Sequence, residues 1–238
     1  MSSIAQAVEL AFHLIWQADP LLWSVVLRSL AVSLSACVLA SAVGLPLGAW
    51  LGVVRFRGHA LVVTCLNTAL ALPSVVVGLV LYLLLSRSGP LGFLGWLFSF
   101  QAMVLAQTVL VLPLAMALTR QVVHDAEHDH GEQLQSIGAS TVLRSLLLGW
   151  DERWALLTVV IATFSRAIAE VGAVMVVGGN IDGFTRVMTT AIALETSKGD
   201  LPLALALGLV LLTVVLILHA WMAWLRRGTG LSRPWGLA

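Results

Sequence analysis

Long hydrophobic segments without charged residues recur along the chain and are separated by shorter polar segments. Residues 29–54, 61–85, 93–119 and 201–225 contain no Asp, Glu, Lys or Arg, and residues 154–177 contain only Arg166 and Glu170. About 20 apolar residues in a helix are enough to cross the hydrocarbon layer of a membrane. The pattern therefore predicts an all-α, polytopic membrane protein with five transmembrane helices.

The composition supports a membrane protein. Of the 238 residues, 59% are hydrophobic and 11% are charged, whereas soluble domains carry about 25% charged residues. So few charges cannot cover a water-facing surface, which argues against a soluble enzyme, a nucleic-acid binder or a disordered chain. Cys37 and Cys65 both lie in apolar runs, so neither a disulfide framework nor a cysteine metal site is expected.

Both ends of the chain differ from the membrane domain predicted for residues 21–226. Residues 1–20 mix apolar and polar side chains and are too short and too polar to cross, so we predict a helix on the outer membrane surface. No basic residue precedes Arg28, which argues against a cleavable signal peptide. Residues 227–238 are expected to form a tail.

Basic residues predict the orientation, because cytoplasmic loops are enriched in Lys and Arg. Eight arginines fall on the side of the long polar loop 120–153 and three basic residues on the other. We therefore expect this loop and the C-terminus in the cytoplasm and the N-terminus outside. The eight are Arg55, Arg57, Arg120, Arg144, Arg153, Arg226, Arg227 and Arg233, and the three are Arg87, Arg186 and Lys198.

The long polar loop contains an amphipathic stretch, in which Leu134, Ile137, Val142 and Leu146 share an apolar face and Gly138 permits a bend. Such a stretch is either an ordinary surface helix or a docking helix that inserts into a groove of a cytoplasmic partner.

Two motifs resemble a known family. Glu132, followed six residues later by Gly138 and Ala139, resembles the EAA loop of bacterial ABC importer permeases, although Gln133 and Leu134 stand where that family favours alanines. Residues 165–173, SRAIAEVGA, resemble the fourth-span motif of molybdate-type permeases, and residues 178–200 are most similar to the tungstate branch of that group.

The resemblance implies a type I importer permease fold, a homodimer with the translocation path at its two-fold interface, and a place in a bacterial or archaeal plasma membrane. It implies separate cytoplasmic ATPase subunits and an extracytoplasmic oxyanion-binding protein as partners. No cofactor and no metal are expected on this chain, which is not expected to be an enzyme; ATP would be used by the partner. The residues implied in ATPase coupling are Glu132, Gln133, Gln135, Ser136, Ile137, Gly138, Ala139 and Ser140.

Arg166 and Glu170 require a physical explanation, because a charge at the centre of a bilayer costs about 2.5–3.5 kcal/mol on insertion scales. Four residues apart on one helix face, they are expected to pair. The pair is either a structural ion pair or part of the path or its gate. We do not expect Arg166 to hold the substrate tightly, since an importer must release it. The residues assigned to the gate or path are Pro113, Arg166, Glu170, Gly172 and Ala173.

The loop before the last span is predicted to lie outside. Its hydroxyl groups and arginine either shape the outer mouth and dock a binding protein, or belong to a solvated interfacial helix. The docking candidates are Asn180, Thr185, Arg186, Thr189 and Thr190. Arg28, at the start of the first span, is expected to extend to lipid headgroups.

Other functions remain as alternatives. The pattern His124-Asp-Ala-Glu-His128 is close to the zinc-protease motif but has Asp125 at the catalytic position and no clear third ligand. The chain has no phosphate-binding loop motif, so ATP hydrolysis would need another polypeptide. A permease for molybdate or sulfate is the nearest alternative, followed by an ATP-independent secondary transporter and an intramembrane protease.

Overall fold

The computed structural model describes residues 9, 12, 13, 15–17 and 19–228. These residues form helices joined by turns, without a strand, which confirms the predicted all-α fold. The predicted outer helix at 1–20 and tail at 227–238 lie largely outside the described residues. In chain order the elements are α1 Pro20–Val53, α2 His59–Leu70, α3 Ser74–Leu85, a 3₁₀ turn Gly92–Leu94, α4 Phe100–Ser136, α5 Thr141–Asp151, α6 Arg153–Ile168, α7 Gly172–Gly178, α8 Met188–Lys198 and α9 Leu201–Gly228.

Three of these helices, α1, α4 and α9, are long and apolar enough to cross a membrane. Two further spans form if each bent pair is counted as one: α2 with α3, bent by 97°, and α6 with α7, bent by 57°. The spans predicted over 61–85 and 154–177 therefore correspond to bent pairs of helices. Pro73 caps the start of α3, and a proline disfavours helical backbone in the residue before it, which explains the first break.

The centre of the fold is the contact between α1 and α4. Gly44, Gly48 and Gly52 repeat every four residues along one side of α1, and all three are buried against α4. A Cβ at Gly52 would lie 2.9 Å from the carbonyl oxygen of Arg120. Small residues at this spacing let two helix backbones approach closely, as in other membrane bundles.

Two apolar clusters join the remaining helices to this centre. One contains Val77 and Leu81 of α3, Met103 of α4, and Val174 and Val177 of α7. The other joins the start of α1 to α8 and α9. Its buried members are Leu22, Val25, Val26, Ile168, Met188, Ala191, Ala206 and Leu207.

The segment predicted as a long polar loop, 120–153, is mostly helical. Helix α4 continues through Arg120 to Ser136 and has 37 residues, which corresponds to a length of about 55 Å. Because the hydrocarbon layer is about 30 Å thick, the polar end of α4 projects beyond it. The glycine bend at Gly138 is present, but the short amphipathic helix begins only after it, at Thr141. The predicted amphipathic stretch is therefore divided at the bend: Leu134 belongs to α4, whereas Val142 and Leu146 belong to α5.

Candidate translocation path and coupling surface

Arg166 and Glu170 form the predicted ion pair, with 2.9 Å between Arg166 Nη1 and Glu170 Oε2. Their placement differs from the prediction, because Arg166 lies in the last turn of α6 whereas Glu170 lies in the break between α6 and α7. The Glu170 side chain is 4% exposed and that of Arg166 is 47% exposed. The pair thus has a buried carboxylate and a guanidinium that reaches the surface of the chain.

The break is stabilised by side chains from three elements. Glu170 Oε1 accepts a hydrogen bond from the backbone N–H of Ala173 at 3.2 Å. Gln107 of α4, buried, donates from Nε2 to the carbonyl oxygen of Ala167 at 3.0 Å. Thr189 of α8 donates from Oγ1 to the carbonyl oxygen of Glu170 at 2.8 Å. Backbone groups freed by a break within the membrane need such partners, and these bonds supply them.

Sequence reasoning missed Gln107 and the role of Thr189. Gln107 could have been noticed from the sequence, because it carries a polar amide within the uncharged run of residues 93–119. No local pattern connects Thr189 to Glu170, which lies 19 residues earlier in the chain.

The other residues assigned to the path are packing residues or lie apart from the pair. Ala173 is fully buried, and a Cβ at Gly78 of α3 would lie 2.8 Å from its Cα. A Cβ at Gly172 would lie 2.7 Å from Ser74 Oγ. Pro113 lies further along α4 than Gln107, inside the helix. Ala173 thus has no free surface in this conformation, and its assignment to the gate or path stays a prediction.

The outer segment 179–190 is folded against the bundle instead of forming an open loop. Thr185, Thr189 and Thr190 are buried, so the prediction that their hydroxyls form a docking surface is wrong. Thr185 donates to the carbonyl oxygen of Gly178, and Thr190 donates to that of Val187. Asn180 has left-handed backbone, with φ of 49°. Arg186 pairs with Asp182 at 3.1 Å, and its side chain is 18% exposed.

Arg28 holds this segment to the start of α1. Its guanidinium donates to the carbonyl oxygens of Gly183 at 2.7 Å and Arg186 at 3.3 Å. One residue later, Ser29 Oγ accepts from the backbone N–H of Met188 at 2.6 Å. Arg28 was expected to extend to lipid headgroups, whereas in the structure two of its five N–H donors bind this segment.

The residues assigned to ATPase coupling form the last turn of α4 and the turn that leads into α5. All of them are exposed except Ala139, which is half-buried. Gly138 has a left-handed backbone with φ of 79°, and nothing lies within 4 Å of a Cβ built there. Glycine is required at this position because of the left-handed backbone conformation. It is not required because a neighbouring group comes close. Ser140 caps α5 by accepting from the backbone N–H of Leu143 at 3.3 Å.

Helix α5 presents an apolar face that the described residues leave uncovered. Arg144, Ser145 and Leu148 point into the protein and are buried. Apolar side chains on the other side are exposed, with Leu146 at 63% and Trp150 at 71%. The exposed apolar side chains of α5 and of the turn before it are Ile137, Val142, Leu143, Leu146, Leu147 and Trp150. An exposed apolar patch next to polar residues marks an interaction site.

The histidine cluster gives no support to a metal site. His124 Nδ1 lies 3.3 Å from Arg55 Nη2, and His128 Nδ1 lies 3.6 Å from Asp129 Oδ1. Within the part of the chain that the structure describes, no three His, Cys, Asp or Glu side chains are placed to hold a metal ion.

The carboxyl of Glu152 lies near this cluster, between α5 and α6. Burial raises its pKa, and the charges of Asp151, Asp125 and Asp129 add to this effect while His130 opposes it.

Comparison with known proteins agrees with the resemblance inferred from the motifs. The tungstate uptake system permease protein TupB of Peptoclostridium acidaminophilum is 42% identical over 92% of this chain and 96% of its own length. TupB of Campylobacter jejuni is 38% identical over 88% of this chain and 87% of its own length. The molybdenum transport system permease protein ModB of Escherichia coli K12 is 32% identical over 86% of this chain and 95% of its own length. Residues 44–230 match the family described as binding-protein-dependent transport system inner membrane component. The chain therefore belongs to this family, the membrane-spanning permeases of ABC importers.

Proposed function

We propose that this chain is the permease subunit of a tungstate importer, working as a homodimer with separate ATPase subunits and an extracytoplasmic oxyanion-binding protein. The observation that carries the proposal is the uncovered apolar face of α5, with Leu146 and Trp150 largely exposed. A short amphipathic helix of this kind fits into an apolar groove of a partner. The sequence has no phosphate-binding loop motif, so the chain itself is proposed to hydrolyse no ATP and to bind no cofactor.

The choice of tungstate rests on relatives and not on a pocket in this chain. Two tungstate permeases are 42% and 38% identical to it. A molybdenum permease at 32% identity makes molybdate the second candidate. Sulfate shares the tetrahedral shape and double charge of both anions, so a path that only guides the anion need not distinguish among them. We assign selectivity to the binding protein, whose closed cavity can supply a full set of hydrogen bonds.

A homodimer is supported by polar side chains exposed within the bent span of α2 and α3. Thr64, Asn67 and Thr68 of α2 are exposed, and an unpaired amide facing hydrocarbon costs about 1–3 kcal/mol. Arg166 is half-exposed, and a charged side chain that faces hydrocarbon costs more than an amide does. A second copy with an aqueous path between the two would cover these groups. Glu170 partly neutralises Arg166, so the guanidinium attracts a passing dianion without holding it tightly.

The arginine bias favours an orientation with α5 and the C-terminus in the cytoplasm and the segment 179–190 outside. This orientation suits docking of the ATPase and of the binding protein on opposite faces. In this arrangement closure of the ATPase subunits moves the two copies of α5, and this motion opens and closes the path.

The test is reconstitution in liposomes with the ATPase and the loaded binding protein. We expect tungstate uptake that requires ATP, and we expect Leu146→Asp to remove the ATPase from the purified complex. Phe93→Asp is the control, because Phe93 is 81% exposed in the outer turn between α3 and α4 and should keep the ATPase bound. Faster uptake of molybdate would favour the second candidate. Uptake without any ATPase would overturn the proposal in favour of a secondary transporter.

A further inference from the structure

A buried ion pair joins α5 to the projecting end of α4. Arg144 Nη1 lies 2.8 Å from Glu127 Oε1, and the two side chains are 10% and 14% exposed. Within the described residues, no other ion pair between side chains has both partners so deeply covered. Neither residue belongs to the motifs that identify the family in this sequence.

Gly131 makes room for this pair. A Cβ at position 131 would lie 2.7 Å from Glu127 Cδ and 2.8 Å from its Oε1. The carboxylate of Glu127 therefore lies directly over Gly131, one helical turn further along α4, and points toward α5. Any larger residue at 131 would displace the carboxylate from this position.

The pair bridges an open region. A cavity of about 660 Å³ lies between the end of α1, the polar end of α4 and the start of α5, and Glu127 and Arg144 both line it. Near its other end α5 rests on apolar contacts, in which Leu148 packs with Ala49 and Val53 of α1 and Val123 and Ala126 of α4. Apolar contacts resist separation but allow sliding, whereas a buried pair of opposite charges cannot be pulled apart without leaving each charge uncompensated.

We propose that Glu127 and Arg144 are positioning residues that transmit the displacement of α5 to α4, with Gly131 holding the carboxylate in place. This inference rests on the proposed function, since it requires an ATPase that moves α5. The α5 face that would contact the ATPase points away from Arg144, so the pair acts after docking. Helix α4, at 37 residues, then carries the motion across the membrane, past Gln107 and the break at Glu170.

The experiment measures uptake per ATP hydrolysed in complexes that contain normal amounts of the ATPase. In the complexes that assemble, Glu127→Gln should lower this ratio at least fivefold while leaving their ATPase content near that of the wild type. Gly131→Ala, which keeps both charges but displaces the carboxylate, should lower it similarly. Arg144→Lys should retain at least half of the wild-type ratio, whereas Arg144→Gln should not. The matched control is Asp125→Asn, an exposed acid on the same helix, which should leave the ratio of uptake to hydrolysis unchanged.

A normal ratio in Glu127→Gln or in Gly131→Ala would overturn the proposal. So would a drop in melting temperature or assembly without a change in the ratio, because that result would mean that the pair only stabilises the fold. Loss of the ATPase from the Glu127→Gln complex would also overturn it, since the pair would then serve docking. Failure of the proposed function is distinguishable, because the wild-type complex would then show no ATP-dependent uptake at all.

Discussion

Gly48 of α1 lies directly against Met116 of α4: a Cβ at position 48 would be 2.6 Å from the carbonyl oxygen of Met116 and 2.8 Å from Thr119 Cβ. Both neighbours are parts of a long helix and cannot move aside as a flexible side-chain end could. The two central helices can therefore pack at this distance only if position 48 has no side chain.

We predict that Gly48→Ala destabilises the protein by about 1–3 kcal/mol, the usual cost of overpacking. Thermal unfolding in detergent micelles, followed by tryptophan fluorescence, measures the effect. Gly208→Ala in α9 is the control, because nothing lies within 4 Å of a Cβ there, and an alanine in a helix interior is favoured over glycine by about 0.5–1 kcal/mol. Equal stability of the two variants would contradict the tight contact.

Comparison of two buried glutamates decides between the two interpretations of the Arg166–Glu170 pair. Glu195, with 8% side-chain exposure, pairs with Lys198 at 2.9 Å, so it matches Glu170 in burial and in partner. Each Glu→Gln change should cost about 1.5–3 kcal/mol of stability, the usual value for a hydrogen bond to a charged group. We expect Glu170→Gln alone to reduce uptake per assembled transporter, by at least fivefold. Equal uptake in the two variants would mean that the pair has only a structural role.

The left-handed backbone at Gly138 predicts a graded response to substitution. A non-glycine residue in this conformation costs about 1–2 kcal/mol, and asparagine tolerates it better than a β-branched residue does. Gly138→Val should therefore change the direction in which α5 leaves α4 and reduce uptake per ATP, whereas Gly138→Asn should stay close to the wild type. If valine and asparagine have the same effect, the φ of this residue is not what matters.

The raised pKa of Glu152 predicts how stability depends on pH. A raised pKa means that the folded protein favours the neutral carboxyl, so ionisation of Glu152 lowers stability as pH rises through its folded pKa. Glu152→Gln should therefore raise the melting temperature at neutral and higher pH, and the gain should vanish at low pH, where the carboxyl is protonated in both states. Glu132→Gln, at an exposed position, should show no such gain. A constant difference across the pH range would argue against this explanation.

The predicted orientation is tested by cysteine labelling after replacement of Cys37 and Cys65 with alanine. Gln133 is exposed at the end of α4 and Ser88 is exposed in the turn after α3. We expect Gln133→Cys to react with a membrane-impermeant reagent only from the cytoplasmic side and Ser88→Cys only from outside. Position 131 is unsuitable for labelling, because a Cβ there meets Glu127. Reaction of both positions from one side would contradict the five-span arrangement.

The hydrophobic pattern was sufficient to predict the all-helical membrane fold, and the spacing of two charged residues was sufficient to predict the pairing of Arg166 with Glu170. These features depend on local quantities: the length of an uncharged run, and a spacing of four residues. The motifs at 132–139 and 165–173 were likewise sufficient to predict the family, because family signatures are contiguous in sequence.

Pro73 marks the first break in the sequence, but only the tertiary structure reveals the second break, between α6 and α7, and what stabilises it. The bend between α6 and α7 depends on Gln107 and Thr189, which come from distant parts of the chain. The burial of Thr185 and Thr190, the bonds of Arg28 to the outer segment, and the Glu127–Arg144 pair over Gly131 are likewise contacts between residues on different elements or turns. Periodicity reports which face of a helix is apolar, but it does not report which neighbour that face meets. Contacts of this kind arise only when the helices pack together.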